Sequence, residues 1–302
     1  MKEFYDKLVQ IIPAENILQD EPMKKHTTFR IGGCADMFVC PEISKLPDIL
    51  ALAKEYNIPV TIIGNGSNLL VGDKGIRGLV VAISKAADRI EVSGNCIVAE
   101  AGALLSKIAA EAARNSLTGL EFAAGIPGTL GGAVVMNAGA YGGEMKDVLV
   151  TVRVLAPNGE VLTLTKDELD LSYRHSCIPE NDYIVLDAVL ELHPGDADEI
   201  RAVMEDLKNR RVEKQPLEYP SAGSTFKRPE GYFAGKLIQD AGLCGYTVGG
   251  AQVSTKHCGF VINRENATAA DVCRLMEDVK SKVYEMFQVQ LEPEVKMMGE
   301  FE

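Results

Sequence analysis

The sequence predicts an α+β protein of two or three domains, and three observations lead there. A chain of 302 residues exceeds what one small core organises. Strand-like and helix-like runs alternate irregularly, and GNGSNLL lacks the third glycine and the following helix of a Rossmann fingerprint. The text changes at His193–Pro194–Gly195–Asp196, where a charged helical stretch leads into a second module.

Taken in order, Phe4, Leu8, Ile11 and Ile12 give residues 3–12 the rhythm of a short amphipathic helix. Gly32–Gly33 allow a tight path before a strand. Residues 44–56 read as a helix with Ser44 as its cap and Pro47 one place beyond the usual N1 site. PVTIIGNGSNLLV reads as strand, glycine loop and short continuation, and strands follow at 78–83 and 96–100. Leu104, Ile108 and Ala112 share one face of a helix over 103–114. EFAAGIPGTLGGAVVMNAGAYGG fits neither period. Val148, Val150, Val152 and Val154 alternate toward Asn158–Gly159, which predicts a hairpin. A strand runs through 183–192. Beyond a boundary near 195–200 come a helix over 196–213, a loop over 216–231, a short helix over 232–241, a strand over 259–263 and a helix over 268–287. Thr268 with Asp271 three residues later caps that last helix. The end reads as a strand pair interrupted by Glu292–Pro293–Glu294.

Composition narrows the function classes. A net charge of −12 argues against a nucleic-acid partner. No run approaches 18 apolar residues, so no membrane span is expected. MKEFYDKLVQ has early acids and no continuous apolar core, which predicts no export signal and a cytoplasmic setting. The seven cysteines are odd in number and include no CxxC, so neither a disulfide framework nor a zinc or iron–sulfur site is expected. The four histidines show no metal spacing. No exposed apolar stripe demands a partner, and a monomer is expected.

Five segments could carry chemistry. Gly64, Asn65, Gly66, Ser67 and Asn68 follow a strand and suit either an anion-binding nest for a pyrophosphate or a plain turn. Gly125, Ile126, Pro127, Gly128, Thr129, Gly131 and Gly132, continuing to Asn137 and Gly139, would let backbone approach a large flat ligand. A close crossing of elements uses the same residues. Ala133 to Met136 could form an apolar wall there. Arg174, beside Tyr173 and His175, offers a five-donor fork for a carboxylate or phosphate, although a surface arginine looks the same. The loop Pro220 to Pro229 joins hydroxyls, Ser224 among them, to Lys227 and Arg228. There is no GxSxG elbow, so Ser224 reads as a proton donor or a structural turn residue. Glu294 beside Pro293 is either a solvated turn acid or a proton relay.

HTTFRIGG, GNGSNLL, EFAAGIPGTLGGAVVMNAGAYG, LSYRHS, PSAGSTFKRP, GGAQVSTKHCGFVIN and LEPEV, in that order over nearly the whole chain, resemble the UDP-N-acetylenolpyruvoylglucosamine reductase family. The resemblance is to its shorter form, since 196–231 has no room for an extra tyrosine-bearing flap. It implies a vanillyl-alcohol-oxidase/PCMH-type FAD-binding fold of two subdomains plus a C-terminal α+β substrate-binding domain. The implied layout is a lead-in over 1–29, a flavin domain over 30–195 (subdomains 30–85 and 86–195) and a substrate domain over 196–302. It implies non-covalent FAD held by the two glycine-rich segments, NADPH as co-substrate and a nucleotide-sugar substrate. His26 stands where relatives often have a polar residue such as Asn and is not read as a flavin attachment site. Arg174 resembles the arginine that stabilises enolate-like charge, Ser224 the serine that supplies the proton, and Glu294 the glutamate that assists it. Tyr173, Lys227, Arg228, Tyr246, Gln252, Lys256 and His257 are implied substrate neighbours, and relatives often have Asn at the Arg228 position. Another flavin oxidoreductase of the same fold and a non-catalytic nucleotide-sugar sensor are the alternatives.

Overall fold

The computed structural model describes residues 1–301. The chain forms two compact units, each built from discontinuous segments. The first comprises Met1–Leu18, Phe38–Asn65 and Leu79–Arg211, and the second Gln19–Met37, Gly66–Gly78 and Val212–Glu302. The continuous layout expected from sequence, 1–29, 30–195 and 196–302, differs from this interleaving. The charged helix Ala197–Lys214 starts where expected, but the unit changes only after Arg211. The early segments join the later unit for a physical reason. The Thr28 hydroxyl donates to the Ser221 carbonyl at 2.7 Å, and Asp73 accepts from the Ala269 and Ala270 amides at 2.8 and 3.0 Å.

In the first unit, a five-stranded antiparallel sheet runs in the order 161–165, 149–155, 184–191, 96–100, 90–93. Helix Leu105–Arg114 buries Leu105, Ile108, Ala109 and Ala112, so the inward face begins at Leu105 and Leu104 is the N-cap. Helix Leu46–Glu55 packs against helix Lys2–Leu8, which ends earlier than its hydrophobic rhythm suggested. Lys45 is its N-cap, and the Ser44 hydroxyl bonds instead to Glu42, correcting the expected cap. Val60–Ile63 pairs in parallel with Leu79–Ala82.

The predicted hairpin forms, with two departures. On its other side, against Ile184–Glu191, the register of Leu149–Leu155 shifts between Leu149 and Thr151, so Val150 is an extra, exposed residue and the valine alternation is broken there. Its turn is a three-residue loop, Pro157 to Gly159, closed by Ala156 N–H to Glu160 O and Gly159 N–H to Ala156 O. Only Gly159 is left-handed, at φ +88°, so this is not the two-residue type I′ turn suggested by Asn–Gly.

In the second unit, strands 247–248, 251–253 and 261–263 form an antiparallel sheet. Helix Ala269–Phe287 lies against it and buries Val272, Leu275, Met276, Val279 and Val283. Each such side chain contributes about 2 kcal/mol. Phe29, Ile31, Leu70 and Phe226 complete that core. Strand Lys296–Met298 pairs in parallel with Leu69–Val71, where sequence suggested a local strand pair.

The predicted capping box on the long helix is present: the Thr268 hydroxyl accepts from Asp271 N–H and the Asp271 carboxylate from Thr268 N–H. Burial alone raises the Asp271 carboxyl pKa, but the Thr268 and Gly250 amides and the Thr268 hydroxyl outweigh it, leaving the carboxyl below its ordinary value. Asp73, unread in the sequence, takes two further amides of the same helix end. Asp73→Ala is therefore expected to cost about 1–2 kcal/mol despite the intact capping box. Urea unfolding should show a lower midpoint with an unchanged slope, and an unchanged midpoint would remove Asp73 from the cap.

Candidate cofactor and active site

The first glycine-rich segment ends a strand of the first unit. Gly64 has to lack a side chain, because a Cβ there would lie 2.3 Å from the Thr129 hydroxyl oxygen. Asn65 donates from its amide to the Pro127 carbonyl at 2.6 Å, so the loop after the strand is tied to the second glycine-rich segment. Gly66 opens a segment of the second unit. Its φ is +62°, and a Cβ would lie 2.0 Å from the His26 carbonyl oxygen, so both backbone and space require glycine. The Thr28 N–H donates to Gly66 O. Asn68 reaches elsewhere: its amide donates to the Glu294 carbonyl at 3.0 Å. His26 is engaged by Glu21 at 3.0 Å.

The second segment turns at Gly125–Gly128 and enters a short helix, Leu130–Val135. It is held by Leu130 N–H to Ala103 O, Gly131 N–H to Ala101 O and Leu105 N–H to Gly128 O. Ala133 and Val134 are buried against the strands Ile184–Glu191 and Cys96–Glu100, so they serve the core and not the apolar wall sequence suggested. Gly125, Pro127 and Gly132 remain on the exposed side.

Thr129 is the N-cap of that helix, yet its hydroxyl makes no cap bond. Its oxygen is buried and has no hydrogen-bond partner. The ideal Cβ positions of Gly64 and Gly132 lie 2.3 and 3.7 Å from it. A buried hydroxyl without a partner costs about 1–3 kcal/mol, so its persistence between two glycines fits a group that accepts its hydrogen bond. A phosphate oxygen has that chemistry. The donor set therefore suits a dinucleotide cofactor with a pyrophosphate.

Asn137 has a different part. It is fully buried with φ +42°, and its amide donates to Glu144 at 2.7 Å and to Ser172 O at 3.1 Å, while its oxygen accepts Lys146 N–H at 2.9 Å. Its side chain is thus spent on protein, and it helps to place its neighbours. One of these is Arg174. The turn Ser172–His175 closes on itself, Ser172 is tied to Asn137, and the Ser176 hydroxyl donates to Val135 O at 2.8 Å. Arg174 itself is left-handed, at φ +55°, a conformation that costs an arginine about 1 kcal/mol and is retained at functional positions. Its guanidinium lies 5.0 Å from the centroid of the exposed Tyr173 ring.

The second unit brings Ser224 and Glu294 together. Glu294 N–H donates to Thr225 O, Lys227 N–H donates to Glu292 O, and Phe226 bridges Pro293 antiparallel. Thr225 is fixed from its other side by Gly259 O and by Val261 N–H, which donates to its hydroxyl. Ser224 and Glu294 are both half-buried at this ladder's end. Sequence reasoning did not single out Thr28, Asp73 or Thr225. The HTTF motif was visible, but its partners are far along the chain.

The remaining candidates are engaged by protein. Lys227 pairs with Glu292 at 3.2 Å, and Arg228 lies over the Phe233 ring at 4.0 Å. Lys256 donates to Val212 O at 2.7 Å, and the Gln252 amide to Thr247 at 3.0 Å. The Tyr246 hydroxyl donates to Asp278 at 2.7 Å, and that bond raises its pKa. Burial lowers the pKa of His257, and its Nδ1 accepts Gly259 N–H, leaving a neutral ring with Nε2–H as donor. Among the described residues, no cluster of His, Cys, Asp and Glu suits a metal ion, and no helix is long and apolar enough to cross a membrane. The seven cysteines are free thiols.

Known proteins resemble this chain along nearly its whole length. Residues 35–165 match the FAD binding domain family, and residues 215–298 match the UDP-N-acetylenolpyruvoylglucosamine reductase C-terminal domain. The chain is 61% identical to the UDP-N-acetylenolpyruvoylglucosamine reductase of Agathobacter rectalis, covering 99% of both chains. It is 55% identical to that of Geobacillus thermodenitrificans, over 99% of this chain and 98% of the relative. The crystal structure of the Thermus caldophilus UDP-N-acetylenolpyruvylglucosamine reductase superposes with a TM-score of 0.80 at 35% identity, covering 93% of this chain and 98% of that one. The 4-ethylphenol oxidase of Gulosibacter chungangensis shares the fold alone, with a TM-score of 0.51 at 14% identity.

Thr129→Val tests the unpaired hydroxyl. The variant is expected to unfold at an unchanged or higher temperature, gaining up to about 1 kcal/mol without ligand, because an unpaired buried donor is removed. A loss above about 2 kcal/mol in thermal unfolding would show that the fold itself uses the hydroxyl.

Proposed function

Because the chain belongs to the UDP-N-acetylenolpyruvoylglucosamine reductase family, we propose that it reduces the enolpyruvyl double bond of UDP-N-acetylglucosamine enolpyruvate to give UDP-N-acetylmuramate, a peptidoglycan precursor, with NADPH as reductant and FAD as cofactor. The observation that carries this is the end-to-end match at 61% identity, with both domains in their expected order. When bound, FAD supplies what no side chain has, the capacity to take hydride from NADPH and deliver it to carbon. The flavin domain and the C-terminal substrate domain keep the roles the resemblance gave them.

The side chains do the rest. Gly64, Asn65, Gly66, Ser67 and the Thr129 hydroxyl hold the pyrophosphate, the glycines by leaving room and the others by donating. The exposed edge at Gly125, Ile126, Pro127, Gly128, Gly131 and Gly132 admits the flat ring system. Arg174 neutralises negative charge that grows on the substrate carboxylate during reduction. Its turn is fastened by Asn137 and Ser176, so little reorganisation is left for the reaction. Ser224 gives the proton that completes the lactyl ether, and Glu294, one ladder step away, supports that transfer. Tyr173, Lys227, Arg228, Tyr246, Gln252, Lys256 and His257 are the proposed substrate neighbours, with His257 offering a neutral donor. The reading includes a monomeric, cytoplasmic enzyme, checked by sedimentation and cell fractionation.

Two half-reactions separate these roles. The purified protein should show flavin absorption, bleach on anaerobic addition of NADPH, and recover colour on addition of the enolpyruvyl nucleotide sugar. Absence of flavin, or no recovery with the sugar, would overturn the assignment. Ser224→Ala is expected to bleach at the normal rate and recover at least about 100-fold more slowly, in the range of a lost general acid. Equal slowing of both halves would remove Ser224 from proton delivery.

A further inference from the structure

Helix Ala197–Lys214 carries its charges in pairs: Arg201 with Asp198, Lys208 with Glu205 and Arg210 with Asp206. Arg211 departs from this pattern. Three and four residues before it stand Lys208 and Leu207, and three and four after it Lys214 and Gln215, so its face of the helix offers no carboxylate. Nor does the rest of the described structure pair it with one: burial drives its pKa down, and Tyr141 is what opposes that shift. The guanidinium is half-buried and lies against the backbone of Gly125. A Cβ at Gly125 would stand 3.1 Å from Arg211 Nη1 and 3.3 Å from its Cδ. Arg211 thus touches the second glycine-rich segment at Gly125 and is within electrostatic reach of its continuation at Tyr141, all inside the first unit.

Leaving an arginine desolvated without a counter-charge is unfavourable. Its neighbours make the arrangement more specific. Gly125 has no side chain to press the guanidinium away, and it opens the exposed edge assigned to the cofactor. A surface arginine would be solvated or paired, like Arg210 one residue earlier.

We propose that Arg211 is a cofactor-binding residue whose guanidinium supplies the positive charge facing the negative charge of bound FAD. The inference rests on the flavoenzyme reading and deepens it. Negative charge on FAD has two sources, the diphosphate, present in both redox states, and the ring system, which becomes anionic on reduction. The fixed fork of an arginine suits both, and charge beside a flavin ring tunes its electronics.

The test uses the full-length protein. Wild type is first shown to take up FAD and be bleached by NADPH; failure there overturns the flavoenzyme reading and this inference with it. Arg211→Met, which keeps most of the side-chain volume, is then compared in three measurements: urea unfolding of the apoprotein, the dissociation constant of oxidised FAD by fluorescence, and the two-electron midpoint potential by dye equilibration. A tenfold or greater rise in the dissociation constant with an unchanged potential assigns Arg211 to the diphosphate. An unchanged constant with a potential lowered by about 30 mV for each tenfold loss of preference for reduced flavin assigns it to the ring. Either result supports the proposal, and both together place the charge within reach of each source. A folded Arg211→Met protein whose affinity stays within twofold and whose potential is unmoved overturns it, whatever its urea midpoint. If that variant does not fold, Gly125→Ala decides by the same readings, because its methyl group displaces the guanidinium. Wild-type affinity and potential in a folded Gly125→Ala protein whose guanidinium is shown to have moved would then overturn the proposal. Arg211→Lys, which keeps the charge, should restore most of the potential if the ring is the source and only part of the affinity if the diphosphate is.

Discussion

The contact on which the flavin side of this molecule depends is the approach of Gly64 to Thr129. No side chain fits between them, and the hydroxyl at that point is buried with no hydrogen-bond partner among the described residues. The surrounding structure maintains this unfavourable arrangement. Asn65 ties the strand end to Pro127, and the helix after Thr129 is fastened by amides donating to Ala101 and Ala103. Thr129 at an N-cap would ordinarily bond its own helix, and here it does not. Stability is given up locally at this hydroxyl, as the proposed pyrophosphate site would require of a rigid scaffold.

The catalytic candidates show the same division between fastening and function. Arg174 owes its left-handed backbone to Asn137 and Ser176, which touch the chain beside it. Ser224 and Glu294 owe their nearness to backbone bonds of Thr225, Lys227, Glu292 and Glu294. In each case neighbouring residues carry the bonds that set the local backbone. That explains why the glycine-rich segments alone could not identify the chemistry. The glycines leave room, while the candidate catalytic residues sit on short, well-bonded turns elsewhere.

What could be read from sequence was local or patterned. Thr268 and Asp271 announced their capping box because both partners lie within one helical turn. The valine hairpin was legible from its period, but the bulge at Val150 was not, since a single inserted residue leaves composition unchanged. The glycine segments were visible, and their division of labour was not. Asn137 looked like a ligand contact, whereas its amide is spent on Glu144 and Ser172. Ala133 and Val134 looked like a cleft wall and pack into the sheet instead. Asp73 could not be found as a cap, because its partners are 196 and 197 residues away. Arg211 could have been noticed: an arginine with lysines at i−3 and i+3 and no acid at i±3 or i±4 is a departure from its own helix.

The second unit's interleaved path also bears on how the protein is made. Thr28 waits for Ser221, Phe29 for Asn263 and Asp73 for Ala269, so segments that leave the ribosome early have no partners until the last third has been translated. Phe29, Ile31 and Leu70 stay unsheltered in the nascent chain for that interval, at a synthesis rate of about 5–20 residues per second. The entropy of closing such long loops comes before the contacts that reward it. Assembly of this half is therefore delayed until synthesis is nearly complete, and its early strands are the part of the molecule most exposed to chaperones and to aggregation.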